Sequence, residues 1–362
     1  MAPIQFAVVG SGWRAEFFLR AAKALPAHFA VSGIVTGRDA ADRNALSNQW
    51  QTPVFATIED LLAATKPAFT VLSVKREAIF ARMAELAWAN MPILAETPPA
   101  ADLEGLKQVH DLVQAGAKIE VAEQYFLHPV LTAMRTLIGE GMIGTPSYAH
   151  VSIMQTYHGI SMMRKLLGIG FENATVTATR VSLPVVKGPG RYEQPAQYEV
   201  IPADQTIATF DFGSQIGLYD FADSQHRSRI RAPRITVRGE RGEITPERLD
   251  HLLDERTPVS LPLIRKDTGH FVNFEGYRHA GIMAGDRWIY QNPFADASMA
   301  DDDIAVATCL MNMRRYVEDG ISSYSFAEAA QDCYLAEVMN QAAATKSAIT
   351  TTSQIWAGAF SR

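Results

Sequence analysis

The chemistry legible in this chain begins at Gly10-Ser11-Gly12-Trp13-Arg14-Ala15, a G-x-G-x-x-A string. Glycines at that spacing let a backbone approach a pyrophosphate with no Cβ in the way, and the free N–H groups of a following helix form a ready anion site. The string is otherwise only a tight turn, so its neighbours decide what it means. Residues 4–9 are a short apolar run, and Phe17, Phe18, Ala21, Ala22 and Leu25 recur at helical spacing. Strand, glycine turn and helix in that order predict a dinucleotide site in which Gly10, Ser11, Gly12, Trp13 and Arg14 hold the cofactor. A second pair, Lys75-Arg76, directly follows the apolar run at 69–74. Ligands of an open parallel sheet sit beyond the carboxyl ends of its strands, so these cations face the cleft unless they merely start a solvated helix.

The positions of these residues depend on the elements around them. A second apolar run, 29–36, ends Val35-Thr36-Gly37-Arg38-Asp39. An acidic residue about 20 positions past the glycines binds a ribose 2′-hydroxyl, whereas an arginine suits a 2′-phosphate. Position 37 is glycine and Arg38 follows, so the cofactor is NAD or NADP with a tilt toward NADP; Asp39 sliding in, or Arg38 stacking on adenine, would restore NAD. Thr36 and Ser73, at strand ends, join the cofactor set. Helices at about 78–89 and 103–115 alternate with short strands at 92–95 and 119–122, which predicts a doubly wound parallel sheet ending near residue 122.

Beyond that point the pattern changes. A helix at 129–138 precedes runs at 147–153, 175–183, 205–212, 215–221 and 234–238 with β-branched or alternating character, and Gly213-Ser214 reads as a hairpin turn. Residues 249–292 are polar and irregular, and their strands cannot be placed. Helices return at 302–318 and 325–345, the latter opening Ser325-Phe326-Ala327-Glu328 as a capping box. The fold class is therefore α/β: an N-terminal Rossmann domain (1–122), an α+β domain with an open, mostly antiparallel sheet (123–350) and a surface tail (351–362).

At 362 residues the chain has room for two domains, and 48% hydrophobic with 20% charged residues is globular composition. The net charge of −6 argues against nucleic acid as a partner. Cys309 and Cys333 fall within helical patterns and read as core thiols, so neither a disulfide framework nor a metal site is expected. Nothing resembles a signal peptide or membrane span, which places the protein in the cytoplasm.

With the glycine turn, the Glu96-Thr97-Pro98 corner, the helix ending Ile138-Gly139-Glu140-Gly141-Met142-Ile143-Gly144 and Val237-Arg238-Gly239-Glu240-Arg241-Gly242 in order, the chain resembles the Gfo/Idh/MocA family of nicotinamide-dependent sugar and cyclitol oxidoreductases. The resemblance runs from residue 4 to roughly 350. It implies a homodimer or homotetramer formed through the open sheet, and a small carbohydrate as substrate. Relatives carry Glu-Lys-Pro where this chain has Glu96-Thr97-Pro98, so Glu96 and Thr97 fall beside the nicotinamide and the lysine that helps set the substrate hydroxyl is missing. Relatives also carry an Asp, a His four residues later and another Asp three beyond. Matching the Leu167-Gly168 end puts His158 on that histidine, with Met154 and Ser161 in place of the acids.

On this resemblance His158 is the acid/base, since its ordinary pKa of about 6.5 suits proton transfer at neutral pH. Tyr157 could lend a phenol and Lys75 or Arg76 could replace the missing cation; the alternatives are a histidine satisfied at a helix start, a core tyrosine and a solvated Arg164. Gln124, Tyr125 and His128, after the strand at 119–122, could line the nicotinamide or sugar pocket. The cluster Ser224-Gln225-His226-Arg227-Ser228-Arg229, with Arg231 and Arg234, is either a basic loop or a clamp for an anionic sugar. The expected function is oxidation or reduction at a secondary hydroxyl of a sugar, sugar acid or polyol. The rivals are nicotinamide-assisted glycoside cleavage by oxidation and elimination, and a nucleotide-binding protein that has lost catalysis.

Overall fold

A computed structural model describes residues 2–269 and 276–360. The first unit runs β1 (Ile4–Val9), α1 (Trp13–Ala24), β2 (Phe29–Val35), α2 (Ala40–Trp50), β3 (Val54–Phe55), α3 (Ile58–Ala64), β4 (Phe69–Leu72), α4 (Ile79–Trp88), β5 (Ile93–Ala95), α5 (Leu103–Gln114) and β6 (Ile119–Val121). Its six strands are parallel, in the order β3-β2-β1-β4-β5-β6. The order reverses between β1 and β4, which opens a crevice at their carboxyl ends. The turn after β1 needs glycine at position 10, where φ is +120° and a Cβ would lie 1.8 Å from the Ser73 carbonyl oxygen. Thr57 and Asp102 cap α3 and α5 through their side chains, as short polar residues ahead of an apolar helix should.

The second unit follows with α6 (Pro129–Gly139), β7 (Pro146–Ser152), α7 (Thr156–Leu167), β8 (Thr175–Val186), β9 (Val200–Asp211), β10 (Ile216–Ala222), β11 (Arg234–Gly239), β12 (Gly242–Ile244), β13 (Arg248–Leu252), β14 (Pro258–Thr268), β15 (Arg278–Ala284) and β16 (Arg287–Gln291). The chain closes with α8 (Asp301–Asp319), α9 (Phe326–Thr345) and β17 (Ile349–Thr350). An eleven-stranded sheet results, ordered β16-β15-β14-β13-β12-β11-β7-β10-β9-β8-β17. Only the β7–β10 pairing is parallel, so the sheet is mostly antiparallel as expected. Helices α6, α7 and α9 cover one face, where Val151, Phe210, Tyr219 and Val237 meet Met162, Leu166 and Leu335 in one core. The capping box at Ser325 and Glu328 is present in both halves.

Several expectations need correction. The tail is not a surface extension: the Thr352 N–H donates to the Tyr334 hydroxyl at 3.0 Å, and the Trp356 indole is fully buried with its Nε1 donating to Gln331 at 3.0 Å. Residues 249–292 contain regular strands, of which β14 alternates half-buried and exposed side chains and so gives no apolar run; residues 270–275 of that stretch, and 361–362 of the tail, lie outside the described residues. Helix α8, assigned by order to the second domain, packs on the first: Ile304, Val306, Leu310 and Met313 share a core with Phe6, Phe18 and Phe29. Arg164 is not solvated but 3% exposed, and its guanidinium meets Asp332, itself 1% exposed, at 2.6 Å. Among the described residues no helix is long and apolar enough to cross a membrane, and no cluster of His, Cys, Asp or Glu could hold a metal.

Candidate active site

The crevice between β1 and β4 is a groove of about 860 Å³ lined by Gly10, Ser11, Gly12, Trp13, Arg14, Thr36, Arg38, Ser73, Lys75, Glu96 and Thr97. Ten of these eleven were expected at the cofactor, the exception being Lys75; of the expected set, only Gln124 lies outside the groove. Its chemistry fits a dinucleotide. A Cβ built on Gly12 meets nothing within 4 Å, so the turn leaves open space where a diphosphate would lie against the N-terminus of α1. The Ser11 and Thr36 hydroxyls bond at 2.9 Å, joining the glycine turn to the end of β2, and Arg38 Nη2 donates to the Ser11 carbonyl at 3.1 Å. Asp39 does not slide into the groove as an acid for the ribose: its carboxylate caps α2, accepting the Asp42 N–H at 2.9 Å.

The start of α1 is then tied to two strand ends. Arg14 Nε and Nη2 donate to Glu96 Oε1 at 2.9 and 2.5 Å, and Nη2 also reaches Gln124 Oε1 at 3.1 Å. Burial works against the Arg14 charge, yet the Glu96 carboxylate more than offsets it and holds the guanidinium above its ordinary pKa. This network joins the start of α1 to the ends of β5 and β6. Beyond it the groove continues into a cleft of about 610 Å³ that shares Trp13, Arg14, Glu96 and Thr97 and is further lined by Arg76, Tyr125, Tyr157 and His158.

His158 is placed by the start of α7. Thr156 stands at φ 43°, a backbone region that side chains rarely occupy, and its N–H donates to the Tyr219 hydroxyl at 2.7 Å. Gly159 follows without a side chain, because a Cβ there would sit 2.6 Å from the Tyr219 ring. The helix is thus pressed onto β10 and turns His158 toward β6. There Nδ1 meets Glu123 Oε2 at 2.5 Å, with the two side chains 9% and 1% exposed. Glu123 Oε1 accepts the Tyr125 N–H at 3.2 Å, so both carboxylate oxygens are held. The Tyr125 ring stands edge-on to the imidazole at 4.7 Å and the Tyr157 ring lies 4.3 Å away on another side. Burial, then the charges of Asp302 and Glu123, push the Tyr125 phenol up to about 12. Burial likewise raises the Tyr157 phenol far above its ordinary value, although a hydrogen bond with the Thr97 hydroxyl opposes this. Both are neutral donors at physiological pH.

The structure therefore brings His158, Tyr157, Glu96, Thr97, Gln124 and Tyr125 together and leaves Lys75 apart. Lys75 is exposed on the nucleotide groove, whereas Arg76 lines the cleft with His158. His128 stands behind the site, its Nε2 3.0 Å from Asp302. Sequence reasoning missed Glu123, although it directly precedes Gln124 at the carboxyl end of β6, where ligands of such sheets bind. Arg191, from the connection between β8 and β9, was missed as well.

Residues 4–124 match the model of the Gfo/Idh/MocA oxidoreductase family, described by its NAD-binding Rossmann fold. Among curated proteins none matches this sequence. Solved structures share the fold over nearly the whole chain. An NAD-binding oxidoreductase from Klebsiella pneumoniae is 14% identical with a TM-score of 0.71, covering 98% of this chain and 100% of its own. A levoglucosan dehydrogenase in complex with NADH and levoglucosan is 15% identical with a TM-score of 0.70, over 96% of this chain and 99% of its own. An oxidoreductase from Agrobacterium radiobacter, in complex with NAD+, L-tartaric acid and magnesium, is 15% identical with a TM-score of 0.66, over 96% and 98%. Residues 4–124 thus carry the NAD-binding Rossmann unit of the Gfo/Idh/MocA oxidoreductase family, and the rest of the chain shares the fold of these solved structures.

Proposed function

We propose that this oxidoreductase transfers a hydride at a secondary hydroxyl of a sugar, sugar acid or polyol, with His158 as the acid/base. The observation that carries the reading is the buried Glu123–His158 pair at the junction of the nucleotide groove and the second cleft. A nicotinamide bound in the groove supplies the hydride acceptor or donor. A carboxylate on Nδ1 keeps the proton there, which leaves Nε2 as the ring nitrogen that takes the hydroxyl proton, and Glu123 stabilises the imidazolium that forms. Tyr157, a neutral phenol beside Thr97, donates a hydrogen bond to the substrate oxygen in place of the absent lysine. Lys75 serves the cofactor rather than the reacting carbon.

NADP is the better fit of the two cofactors. Gly37 offers no acid to a ribose 2′-hydroxyl, Asp39 is spent on its cap, and Arg38, Lys75 and Arg82 line the groove. The outer face of the sheet supports a homodimer or homotetramer, since Val181, Leu183, Ile207 and Ile216 are exposed there and share one side by register. Calorimetry with NADP+ and NAD+, followed by absorbance at 340 nm over a panel of sugars, sugar acids and polyols, tests the reading. Absence of cofactor binding removes it. Release of an aglycone from glycosides without net NADPH formation replaces it with oxidation and elimination. Full activity in His158→Ala removes the acid/base assignment.

A further inference from the structure

The cleft that His158 lines carries more positive charge than the protein around it. The chain as a whole is acidic, at −6, yet the cleft is bordered by Arg14, Arg76, Lys187, Arg191 and Arg227 against Glu96, Asp223 and Asp302. Half of these are spoken for. Arg14 is paired with Glu96, Lys187 with Glu199 at 2.8 Å, and Asp302 with His128. Among the described residues Arg76, Arg191 and Arg227 have no acidic partner, and Asp223 is the one lining acid left to face them; of the three, Arg191 and Arg227 lie together. A local field of this sign in an acidic protein concentrates anions.

Arg191 is also held in place, and the segment carrying Arg227 is tied to it. The Arg191 guanidinium lies 3.4 Å over the Trp13 ring centroid, a stacking contact that leaves the N–H edge of the fork free. Arg229 Nη2 donates to Gln194 Oε1 at 2.6 Å, which joins the segment carrying Arg227 to the connection carrying Arg191. Burial, followed by the nearby charges of Arg227 and Arg14, lowers the Arg191 pKa, as expected of cations crowded together without a counter-ion. His226 lies within electrostatic reach of His158 as well as of Arg227 and Arg191, so the two cations and the acid/base border the same space. A merely basic surface loop would not place Arg227 in that space.

We propose that the substrate carries an anionic group, a carboxylate, sulfonate or phosphate, which Arg191 and Arg227 hold in the cleft while His158 meets the reacting hydroxyl. This rests on the function proposed above, and it narrows the substrate to acidic sugars or polyol acids. The bidentate fork of arginine matches the flat or tetrahedral oxygens of such groups. Because Trp13 also borders the nucleotide groove, the diphosphate of the cofactor is the other source of the same chemistry.

The test reads binding, so it succeeds or fails independently of turnover. Calorimetry of the NADP+-loaded protein is run with D-gluconate, inorganic phosphate and neutral D-glucitol. Gluconate and phosphate should bind, and Arg227→Gln and Arg191→Gln should weaken them on the order of ten- to a hundred-fold, the worth of a charged hydrogen bond, with a far smaller effect on glucitol. No anion binding to the loaded protein overturns the proposal, as does equal weakening of glucitol and gluconate. Phosphate that binds only without cofactor assigns the arginines to the dinucleotide and overturns the substrate role. If anions bind as described but no sugar acid or polyol is ever oxidised or reduced, the anion site stands and the proposed reaction falls.

Discussion

The Glu123→Gln substitution gives the sharpest test of the catalytic reading, because it replaces an accepting carboxylate oxygen by a donating NH2 at almost no change in volume. Glu123 Oε1 accepts the Tyr125 N–H at 3.2 Å and Oε2 meets His158 Nδ1 at 2.5 Å. A backbone N–H can face only an acceptor, so the glutamine oxygen stays on Tyr125 and its NH2 turns to the imidazole. That group donates, so Nδ1 must accept and the ring proton moves to Nε2. An Nε2 that already carries a proton cannot take one from a hydroxyl. General acid–base catalysis is worth roughly 10²- to 10⁴-fold, and kcat/KM for alcohol oxidation should fall by that amount. Cofactor affinity should change little, since Glu123 lies outside the nucleotide groove. The assay is initial-rate NADPH formation at 340 nm, paired with calorimetry for NADP+ and urea unfolding to show that the variant is folded. A folded Glu123→Gln protein within about threefold of the parent would refute the argument, and the buried pair would then be structural.

Three other outcomes follow from the packing and charge. Trp356→Ala should cost about 3–5 kcal/mol in urea unfolding, because it empties a fully buried site and orphans Gln331; a loss under about 1 kcal/mol would return the tail to the surface. Arg164→Ala should destabilise by about 3–5 kcal/mol, leaving Asp332 buried without its cation, and the Arg164→Met, Asp332→Leu double variant should recover part of the loss in the same experiment. Asp302 has its pKa lowered: burial would raise it, but the His128 hydrogen bond and the charges of His128, Arg14 and Arg20 prevail. A depressed carboxylate gives stability that is present above its ordinary value of about 3.9 and is lost as pH falls through the folded value, so Asp302→Asn should flatten the acid limb of thermal stability below about pH 4.

Much of the first unit can be read from local sequence because its signals are local. Buried parallel strands are continuous apolar runs, as at residues 69–72, and the glycine turn is a contiguous string with a steric reason at Gly10. The second sheet is harder. Along β14 half-buried and exposed residues simply alternate, with prolines at positions 258 and 262, so neither an apolar run nor a fully buried face marks it. The docked tail is invisible for a similar reason: one buried tryptophan in a polar stretch has no periodicity to announce it. Arg164 reads as a solvated helix residue because its partner Asp332 lies 168 positions away.

The site shows the same division, and here it bears on mechanism. The missing lysine at Thr97 and the missing acids at Met154 and Ser161 are plain from sequence, and taken alone they favour lost catalysis. The structure places those last two side chains away from the chemistry: Met154 is 5% exposed, and Ser161 is 1% exposed with its hydroxyl unpartnered among the described residues. Neither lines the cleft with His158. An acid restored at position 161 would therefore be a buried, unpaired charge rather than a recovered catalytic group. The carboxylate that meets the imidazole comes instead from the end of a strand, at Glu123, 35 positions from His158. A motif written along one helix cannot register a partner supplied by another element. On the function proposed above, the departures from the family pattern mark a carboxylate that has changed its place in the fold rather than a histidine that has lost its partner.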